Sequence, residues 1–355
     1  MDLLIIGFAQ SGKTSLFNAL THRQAAPGGR TGGNIGVAKV PDARLAPLAE
    51  MFNPQRIVPA EIQYIDTPAM GGGRKRGGGV SGEILNLMQR ADAFVHVVRA
   101  FDDGGDPPED AVVAMDLELA MVDLGILERR LERLTASLKG ARAADRGAIE
   151  HEAALVKRVI AALEQEIPVY QQDIVPEDRA TLANFNLTTA KPMMVVLNIA
   201  EDDVAEVDAL EAEWRARLSQ GNREIVALSA SLEEELAQLS EDDEAEFRSS
   251  LGAGLPGRDR VAEASYALLG LVSFLTVGPD EVRAWTIARE TPAQRAAGKV
   301  HSDIERGFIR AEVVTYDDLI AAGGLAAARK AGHLRSEGKT YPVQDGDVVN
   351  FLFSV

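Results

Sequence analysis

The chain has 355 residues, more than one hydrophobic core usually organises, and its 46% apolar and 26% charged residues predict two or three globular domains and exclude wholesale disorder. The absence of cysteine excludes disulfides, cysteine zinc sites and thiol nucleophiles, and the net charge of −17 disfavours coating of DNA or other nucleic acids. No apolar run is long enough to span a membrane and the N-terminus is not a signal peptide, so the cytoplasm is the expected location.

Short apolar runs bounded by polar or turn residues predict the strands of a parallel sheet. In chain order they are Leu3–Ile6, Ile62–Ile65, Ala93–Val98, Met193–Leu197 and Ile225–Leu228. Their lack of alternation indicates strands that are buried on both faces, as in a sheet covered by helices. We therefore predict an α/β domain in two parts, residues 1–115 and 191–275.

A heptad pattern separates these two parts. Leucines recur every seven residues in a first set, Leu117, Leu124, Leu131 and Leu138, and a second set of Ile149, Val156 and Leu163 follows a polar break. The period is nearer 3.5 than 3.6 residues, which favours an antiparallel helical coiled-coil hairpin inserted over residues 116–190. The alternative is a pair of amphipathic helices packed on the sheet.

The style of the sequence changes again from about Ser273. Short β-prone segments alternate with turns and two short helical stretches, which predicts a small α+β module over residues 276–355. This module carries 10 basic and 11 acidic side chains, whereas residues 1–275 carry 27 and 43. The acidic excess therefore belongs to the first part, and eight acids fall in Glu233–Glu246, where they predict a solvated helix face.

The phosphate-binding pattern G-x-x-x-x-G-K-[ST] occurs at Gly7-Phe8-Ala9-Gln10-Ser11-Gly12-Lys13-Thr14, directly after the first predicted strand and at the start of a predicted helix. In this pattern the glycines let backbone N–H groups face the phosphates, and the helix N-terminus adds a partial positive charge. Lys13 can reach the β- and γ-phosphates, and the Thr14 hydroxyl can ligate Mg²⁺. The segment therefore predicts a nucleoside triphosphate site.

Two further residues complete the predicted magnesium site. Asp66 ends the run Ile62–Ile65, the place for a carboxylate that holds Mg²⁺ through water in P-loop enzymes. Thr31 lies in a glycine-rich loop and suits a switch residue that contacts Mg²⁺ only when triphosphate is bound. Residues 71–82 hold seven glycines around Arg74-Lys75-Arg76, which fits a segment that orders around a ligand and fits a solvated loop equally well.

The predicted nucleobase site points to adenine. P-loop GTPases use Asn-Lys-x-Asp after a late strand, where the carboxylate accepts two N–H donors of guanine. Here Met193–Leu197 is followed by Asn198-Ile199-Ala200-Glu201, which lacks the lysine and carries a longer acid. Ser229-Ala230-Ser231 fits the loop that closes over the base. We therefore expect ATP to be preferred, with GTP as the alternative.

These residues closely resemble the Obg-related YchF-type P-loop NTPases over essentially the whole chain. Besides the P-loop, the segments that carry the resemblance are Gly36–Leu45, His96–Phe101, Asn198–Glu201, Val282–Ile287, Gly307–Glu312 and Val343–Val348. The resemblance implies a G domain that is interrupted by a helical coiled coil and followed by a ubiquitin-like TGS domain. It also implies ATP hydrolysis in preference to GTP, binding to ribosomes and a role in translation or stress responses.

The resemblance also assigns roles by position. It places Gln10–Ser15 on the phosphates, Thr14 and Thr31 on Mg²⁺, and the backbone of Ile199 on adenine. The complete set of nucleotide-binding residues expected is Gln10, Ser11, Gly12, Lys13, Thr14, Ser15, Asn198, Ile199, Glu201, Ser229 and Ala230. His96 lies on a buried-looking strand and is expected to be a packed core residue.

Three departures from the family pattern predict slow hydrolysis. Ala69 replaces the glycine of Asp-x-x-Gly, Gln10 replaces the P-loop asparagine, and Asp102–Ala111 lacks the histidine of the corresponding loop. A backbone N–H can still reach the γ-phosphate from Ala69, provided that Pro68 permits the turn.

The leading hypothesis is a Mg²⁺-dependent, ATP-preferring triphosphatase that acts as a conformational switch, with Lys13 and Asp66 as its catalytic residues. The competing hypothesis is a nucleotide-binding adaptor with little or no hydrolysis, which presents its coiled coil and TGS domain to a partner. A GTP-specific switch is the third. A monomer is expected, and the ribosome or a structured RNA is the expected partner. Five arginines of the last module could face RNA: Arg283, Arg289, Arg295, Arg306 and Arg310.

Overall fold

The computed structural model describes residues 1–22, 26–27, 33–70, 81–101, 107–218 and 223–354, with only the backbone of 26–27. The chain divides into two compact units. The first unit comprises residues 1–37 and 63–261, and the second comprises residues 38–62 and 262–355. Among the helices of these described ranges, none is long and apolar enough to cross a membrane.

Strands and helices alternate through much of the chain, with short 3₁₀ turns between some of them. In order they are β1 (Asp2–Ile6), α1 (Lys13–Thr21), β2 (Ala26–Pro27), β3 (Asn34–Val40), α2 (Leu45–Phe52), β4 (Arg56–Val58), β5 (Ala60–Asp66), α3 (Gly82–Arg90), β6 (Ala93–Arg99), α4 (Pro108–Leu138), α5 (Ala143–Leu163), α6 (Pro176–Ala183), β7 (Met193–Asn198), α7 (Val207–Arg217), β8 (Arg223–Leu228), α8 (Ala230–Leu236), α9 (Glu241–Ser250), α10 (Gly257–Leu268), β9 (Leu271–Val277), β10 (Glu281–Ala288), α11 (Ala293–Val300), α12 (Ser302–Arg306), β11 (Phe308–Thr315), α13 (Tyr316–Ala322), α14 (Leu325–Ala331), β12 (Arg335–Glu337) and β13 (Asp347–Phe353).

The first unit is built on a sheet with the strand order β2-β3-β5-β1-β6-β7-β8. The pairs β1–β5, β1–β6, β6–β7 and β7–β8 are all parallel. Leu3–Ile6 and Met193–Leu197 are buried along their whole length, as expected of strands covered on both faces. The α/β fold and its five predicted strands are confirmed.

Parallel strands bring their carboxyl ends to one edge of the sheet, where α/β proteins bind ligands. At this edge β1 leads into Gly7–Thr14 and β5 ends at Asp66. β7 and β8 lie on the opposite side of β1 from β5. β7 ends at Asn198, and β8 leads into Ser229. The topology therefore gathers the segments predicted to bind the phosphates, the metal and the nucleobase.

Two long helices, α4 and α5, occupy the region of the heptad pattern. The first half of α4 packs on the sheet, since Met115 and Leu119 share a core with Phe94. The second half packs on α5, where Leu127 and Val156 belong to a separate core. The predicted helices are confirmed, and the coiled-coil hairpin over residues 116–190 stays a prediction. Leu117, the first leucine of the heptad pattern, is solvent-exposed.

The second unit has a sheet with the strand order β12-β11-β13-β9-β10-β4. Aromatic side chains on one face, including Phe274 and Phe351, share a core with the small residues of α11. The segment 38–62 lies within the range 1–115 predicted for the α/β domain, yet it belongs to this unit because β4 pairs in parallel with β10. Arg44 reinforces this placement through a 2.8 Å ion pair with Asp345.

Candidate functional site

The loop between β1 and α1 has backbone geometry that its two glycines make possible. Gly12 adopts φ +95°, and a Cβ at this position would overlap the side-chain amide of Asn198. A Cβ on Gly7 would lie 2.7 Å from the carbonyl oxygen of Val97. Gln10 adopts a left-handed φ of 61°, which is uncommon for a residue with a side chain. The loop therefore packs closely against the ends of the neighbouring strands.

Lys13 begins α1 and its side chain lies over the loop. Its ammonium group donates a 2.6 Å hydrogen bond to the carbonyl of Phe8, and the side chain is buried. Burial lowers the pKa of Lys13, and the charge of Asp66 partly opposes this effect. The cation is thus held beside the α1 N-terminus, where a phosphate group would be attracted to both.

Thr14 and Asp66 meet at the same place. The Thr14 hydroxyl donates a 3.2 Å hydrogen bond to Oδ2 of Asp66. Burial raises the pKa of Asp66, and the Thr14 hydroxyl, the Lys13 charge and the Asn34 side chain oppose this rise. Oδ1 of Asp66 is buried and has no hydrogen-bond partner within the described part of the chain. A buried acceptor without a partner is costly, so the geometry favours a ligand at Oδ1.

This pair of oxygens fits Mg²⁺, which prefers carboxylate and hydroxyl oxygens and retains several water ligands. Among the described residues there is no group of three or more His, Asp or Glu side chains that could hold a metal ion. A magnesium ion at Thr14 and Asp66 would leave coordination positions for phosphate oxygens and water. Thr31, the third predicted ligand, lies outside the described residues, as do Arg74, Lys75 and Arg76.

The residues that follow Asp66 fold back on the P-loop. The Thr67 hydroxyl donates to the carbonyl of Ile5 at 2.7 Å, and the Met70 N–H donates to the carbonyl of Gly7 at 3.0 Å. Ala69 is exposed between these two contacts. The Met70 amide is consequently engaged with the loop itself.

Asn198 joins the P-loop to the predicted nucleobase loop. Its Nδ2 donates to the carbonyl of Ser11 at 3.0 Å, and its Oδ1 accepts the Ala230 N–H at 2.9 Å. The Ile199 N–H donates to the carbonyl of Leu228 at 3.0 Å. The side chain of Asn198 therefore connects two loops of the protein, a role that the sequence pattern did not reveal.

Glu201 lies at the surface beside the same loop. It accepts a 3.2 Å hydrogen bond from the Ser231 hydroxyl, which is also 3.2 Å from the hydroxyl of Ser229. The structure thus brings together Ser11, Asn198 and Ala230 as one group, and Glu201 with the two serines as another. The assignment of these residues to nucleotide binding stays a prediction.

His96 is buried on β6, as predicted. Its ring lies edge-on to Phe8 with ring centroids 6.5 Å apart, and neither ring nitrogen has a partner among the described residues. Burial lowers the pKa of His96 to about 3, and the charges of Arg223 and Lys13 add to this effect. The side chain is therefore a neutral core residue beneath the P-loop.

Asn34, which faces Asp66, is the site residue that sequence reasoning missed.

Two family models match the chain. A model described as 50S ribosome-binding GTPase matches residues 2–130, and the YchF-GTPase C-terminal model, described as a protein of unknown function, matches residues 271–354. A protein named ribosome-binding ATPase YchF from Bacillus subtilis is 38% identical over 99% of this chain and 98% of its own length. The protein of the same name from Escherichia coli O157:H7 is 36% identical with the same coverage. The structure of the Schizosaccharomyces pombe YchF GTPase superposes with a TM-score of 0.84 at 27% identity, over 99% of this chain and 97% of that chain.

Proposed function

Because the chain belongs to the YchF family, we propose that it is a Mg²⁺-dependent nucleoside triphosphatase that prefers ATP to GTP and acts as a nucleotide-controlled switch. The observation that carries this proposal is the meeting of Lys13, Thr14 and the open Oδ1 of Asp66 at the carboxyl edge of the sheet. The names of the relatives, which are ribosome-binding ATPases, support the choice of nucleotide and of partner.

The residues at this edge have separate roles in phosphoryl transfer. Lys13 and the N-terminal amides of α1 offset the charge of the phosphates, and Thr14 and Asp66 hold the metal ion. When bound, Mg²⁺ supplies positive charge to the phosphate oxygens. Catalysis comes from positioning and charge stabilisation, because the described side chains around Asp66 include no group placed as a general base.

Adenine preference follows from the backbone at Ile199. Its N–H is already bonded to Leu228, so its carbonyl is the group that this residue offers to a nucleobase. A carbonyl accepts a hydrogen bond from the exocyclic amino group of adenine, whereas guanine presents an oxygen at that position. Glu201 is bonded to Ser231, which weakens its use as the carboxylate that would select guanine.

Slow hydrolysis is part of the proposal. The Met70 amide is bonded to Gly7, and Ala69 stands where the family has glycine. The backbone at Ala69 must therefore turn toward the γ-phosphate without the conformational freedom of glycine. Of the loop that lacks the family histidine, residues 102–106 lie outside the described residues.

For the partner, we infer a ribosome-associated role in the cytoplasm. The relatives are named for ribosome binding, and the first family model is described as a 50S ribosome-binding GTPase. On this proposal residues 116–190 hold the coiled coil, residues 276–355 form the TGS domain, and the protein is a monomer.

Calorimetric titration with ATP and with GTP in the presence of Mg²⁺, followed by phosphate release on the same samples, tests this function. Tighter binding of ATP with measurable turnover is expected. Tight binding without turnover would favour the adaptor, and tighter binding of GTP would favour a GTP switch. Lys13→Ala should abolish nucleotide binding and turnover, because the remaining amides cannot replace a buried cation. Unchanged binding by Lys13→Ala would contradict the assigned site.

A further inference from the structure

Helix α9 is fixed to the first unit by a buried network of charged side chains. Both terminal nitrogens of Arg248 bind the Glu233 carboxylate at 2.9 and 2.7 Å, and Nε of Arg248 binds Glu244 at 2.8 Å. Arg258 binds Glu244 through two further bonds of 2.7 and 2.8 Å. Glu233 also accepts the Gly257 N–H at 2.9 Å. Such bidentate pairs hold a helix in one orientation, so the outer face of α9 is a preformed surface.

Apolar side chains lie on that outer face. Leu239 is 44% exposed, Phe247 is 48% exposed and Leu251 is 38% exposed. Phe247 and Leu251 are four residues apart and lie on one stripe at the end of α9, and Leu239 precedes the helix by two residues. The described residues include 14 exposed large apolar side chains, and four of these fall between residues 239 and 255: Leu239, Phe247, Leu251 and Leu255. Exposed apolar side chains that lie close together in this way indicate an interaction surface, whereas single exposed apolar side chains are normal.

The same stripe is bordered by carboxylates. Asp242 and Glu246 lie on the flank of the stripe and Asp243 lies within it, and all three are exposed. None of them forms an ion pair with another described residue. The neighbouring Arg248 and Arg258 instead form ion pairs with buried glutamates. The outward charge of α9 is therefore negative, with Asp242 and Asp243 in the first turn and Asp243 accepting the Ser240 hydroxyl at 2.6 Å.

We propose that the α9 surface, defined as Leu239, Asp242, Asp243, Glu246, Phe247 and Leu251, docks a lysine- or arginine-rich polypeptide segment that carries apolar side chains on one face. The apolar stripe supplies contact area, and the exposed carboxylates attract the basic groups and orient them. RNA is disfavoured because its phosphates would meet the same carboxylates. This inference goes beyond the nucleotide function and does not depend on it.

The length of the α9 surface determines the length of the peptide that is used to test it. Helix α9, Glu241–Ser250, spans about 14 Å at the helical rise, and a helix of about 15 residues covers it together with the residues at its two ends. The probe is a labelled helical peptide of lysine and leucine of this length, with the leucines on one face. Binding to the full chain is followed by fluorescence anisotropy at two salt concentrations, and a labelled single-stranded RNA of similar length is titrated beside it.

Two variants and one control separate this surface from general attraction to an acidic protein. Phe247→Ser with Leu251→Ser removes the apolar contact, and Asp242→Asn with Asp243→Asn and Glu246→Gln removes three charges. The control removes three exposed charges from the α4 and α5 region: Glu128→Gln, Glu132→Gln and Glu164→Gln.

Each of the two α9 variants should weaken peptide binding by about tenfold or more, and the control should change it by less than about twofold. Higher salt should weaken the wild-type complex, and RNA should not bind the α9 surface. Equal weakening by the control, wild-type affinity in the Phe247→Ser, Leu251→Ser variant, or RNA that displaces the peptide would overturn the proposal. Melting curves of all variants show whether a loss of binding reflects a loss of folding.

Discussion

Two buried aspartates of the first unit differ in how completely they are bonded. Asp123 of α4 accepts an N–H and a hydroxyl from Thr188 and the same pair from Thr189, at distances of 2.7 to 2.9 Å. Asp66 at the end of β5 accepts the Thr14 hydroxyl at 3.2 Å, and its Oδ1 has no partner among the described residues. Burial raises the pKa of both carboxyl groups.

The comparison shows that neither burial nor the direction of a pKa shift separates a structural carboxylate from a ligand-binding one. Asp123 has its acceptors filled by the protein, so it ties the turn at Thr188–Ala190 to α4. Asp66 keeps an open acceptor at the edge of the sheet where Lys13 also lies. The completeness of hydrogen bonding is therefore the feature that distinguishes Asp66, the proposed metal ligand, from Asp123, which supports the fold.

The largest effect is expected for Asp123→Ala. The variant leaves two buried N–H groups and two hydroxyls without their acceptor, so the free energy of unfolding should fall by about 3–5 kcal/mol. Denaturant titration measures this fall, with Thr188→Val as a milder companion that should cost about 1 kcal/mol. The folded variant should still bind ATP as the wild type does. A fall in the free energy of unfolding by less than that of Thr188→Val would remove Asp123 from its structural role.

The second effect is expected for Asp66→Asn. Turnover should fall by about 100-fold or more, because the carboxylate that holds Mg²⁺ loses its charge. The free energy of unfolding should change by less than about 1 kcal/mol, since a partly bonded buried carboxylate contributes little to stability. Phosphate release and denaturant titration on one preparation measure both quantities. A large loss of stability with normal turnover would reverse the comparison between the two aspartates.

The third effect concerns His96, whose two ring nitrogens also lack partners among the described residues but which lies in the core instead of at the ligand edge. Its pKa is about 3 in the folded protein, whereas the unfolded chain binds a proton near pH 6.5. Below pH 6.5 the unfolded state takes up a proton that the folded state does not, so stability is lost as the pH falls. At pH 5 the loss from this residue is about 2 kcal/mol.

His96→Phe is the matched variant for this pH dependence. The difference in free energy of unfolding between the variant and the wild type should shift in favour of the variant by about 1.4 kcal/mol for each pH unit below 6.5. Denaturant titrations at pH 7, 6 and 5 measure this slope. A difference that stays constant over this range would show that His96 does not remain unprotonated in the folded state.

Local sequence predicted the parts of the site that local structure determines. Strands such as Leu3–Ile6 and Met193–Leu197 are apolar along their length because both faces are buried, and the P-loop at Gly7–Thr14 is one continuous motif. The parallel topology then brings Asp66 to the P-loop without further information. These features could be predicted because each depends on residues that are neighbours in the sequence.

Contacts between distant residues could not be predicted in this way. Asp123 and Thr188 are 65 positions apart, and nothing in either neighbourhood distinguishes them from ordinary surface residues. The pairing of Arg56–Val58 with β10, which draws segment 38–62 into the second unit, likewise depends on long-range packing. The side-chain hydrogen bonds by which Asn198 connects Ser11 and Ala230 could not be predicted either, because the motif indicates a contact with the nucleobase.

The most direct test of the open acceptor on Asp66 is the magnesium dependence of ATP affinity in the wild type and in Asp66→Asn. Calorimetric titrations with saturating Mg²⁺ and with a chelator compare the two proteins. The wild type should bind ATP about tenfold or more tightly with Mg²⁺, and Asp66→Asn should lose most of this difference. An Asp66→Asn protein that keeps the full magnesium dependence would contradict the assignment of Oδ1 to the metal.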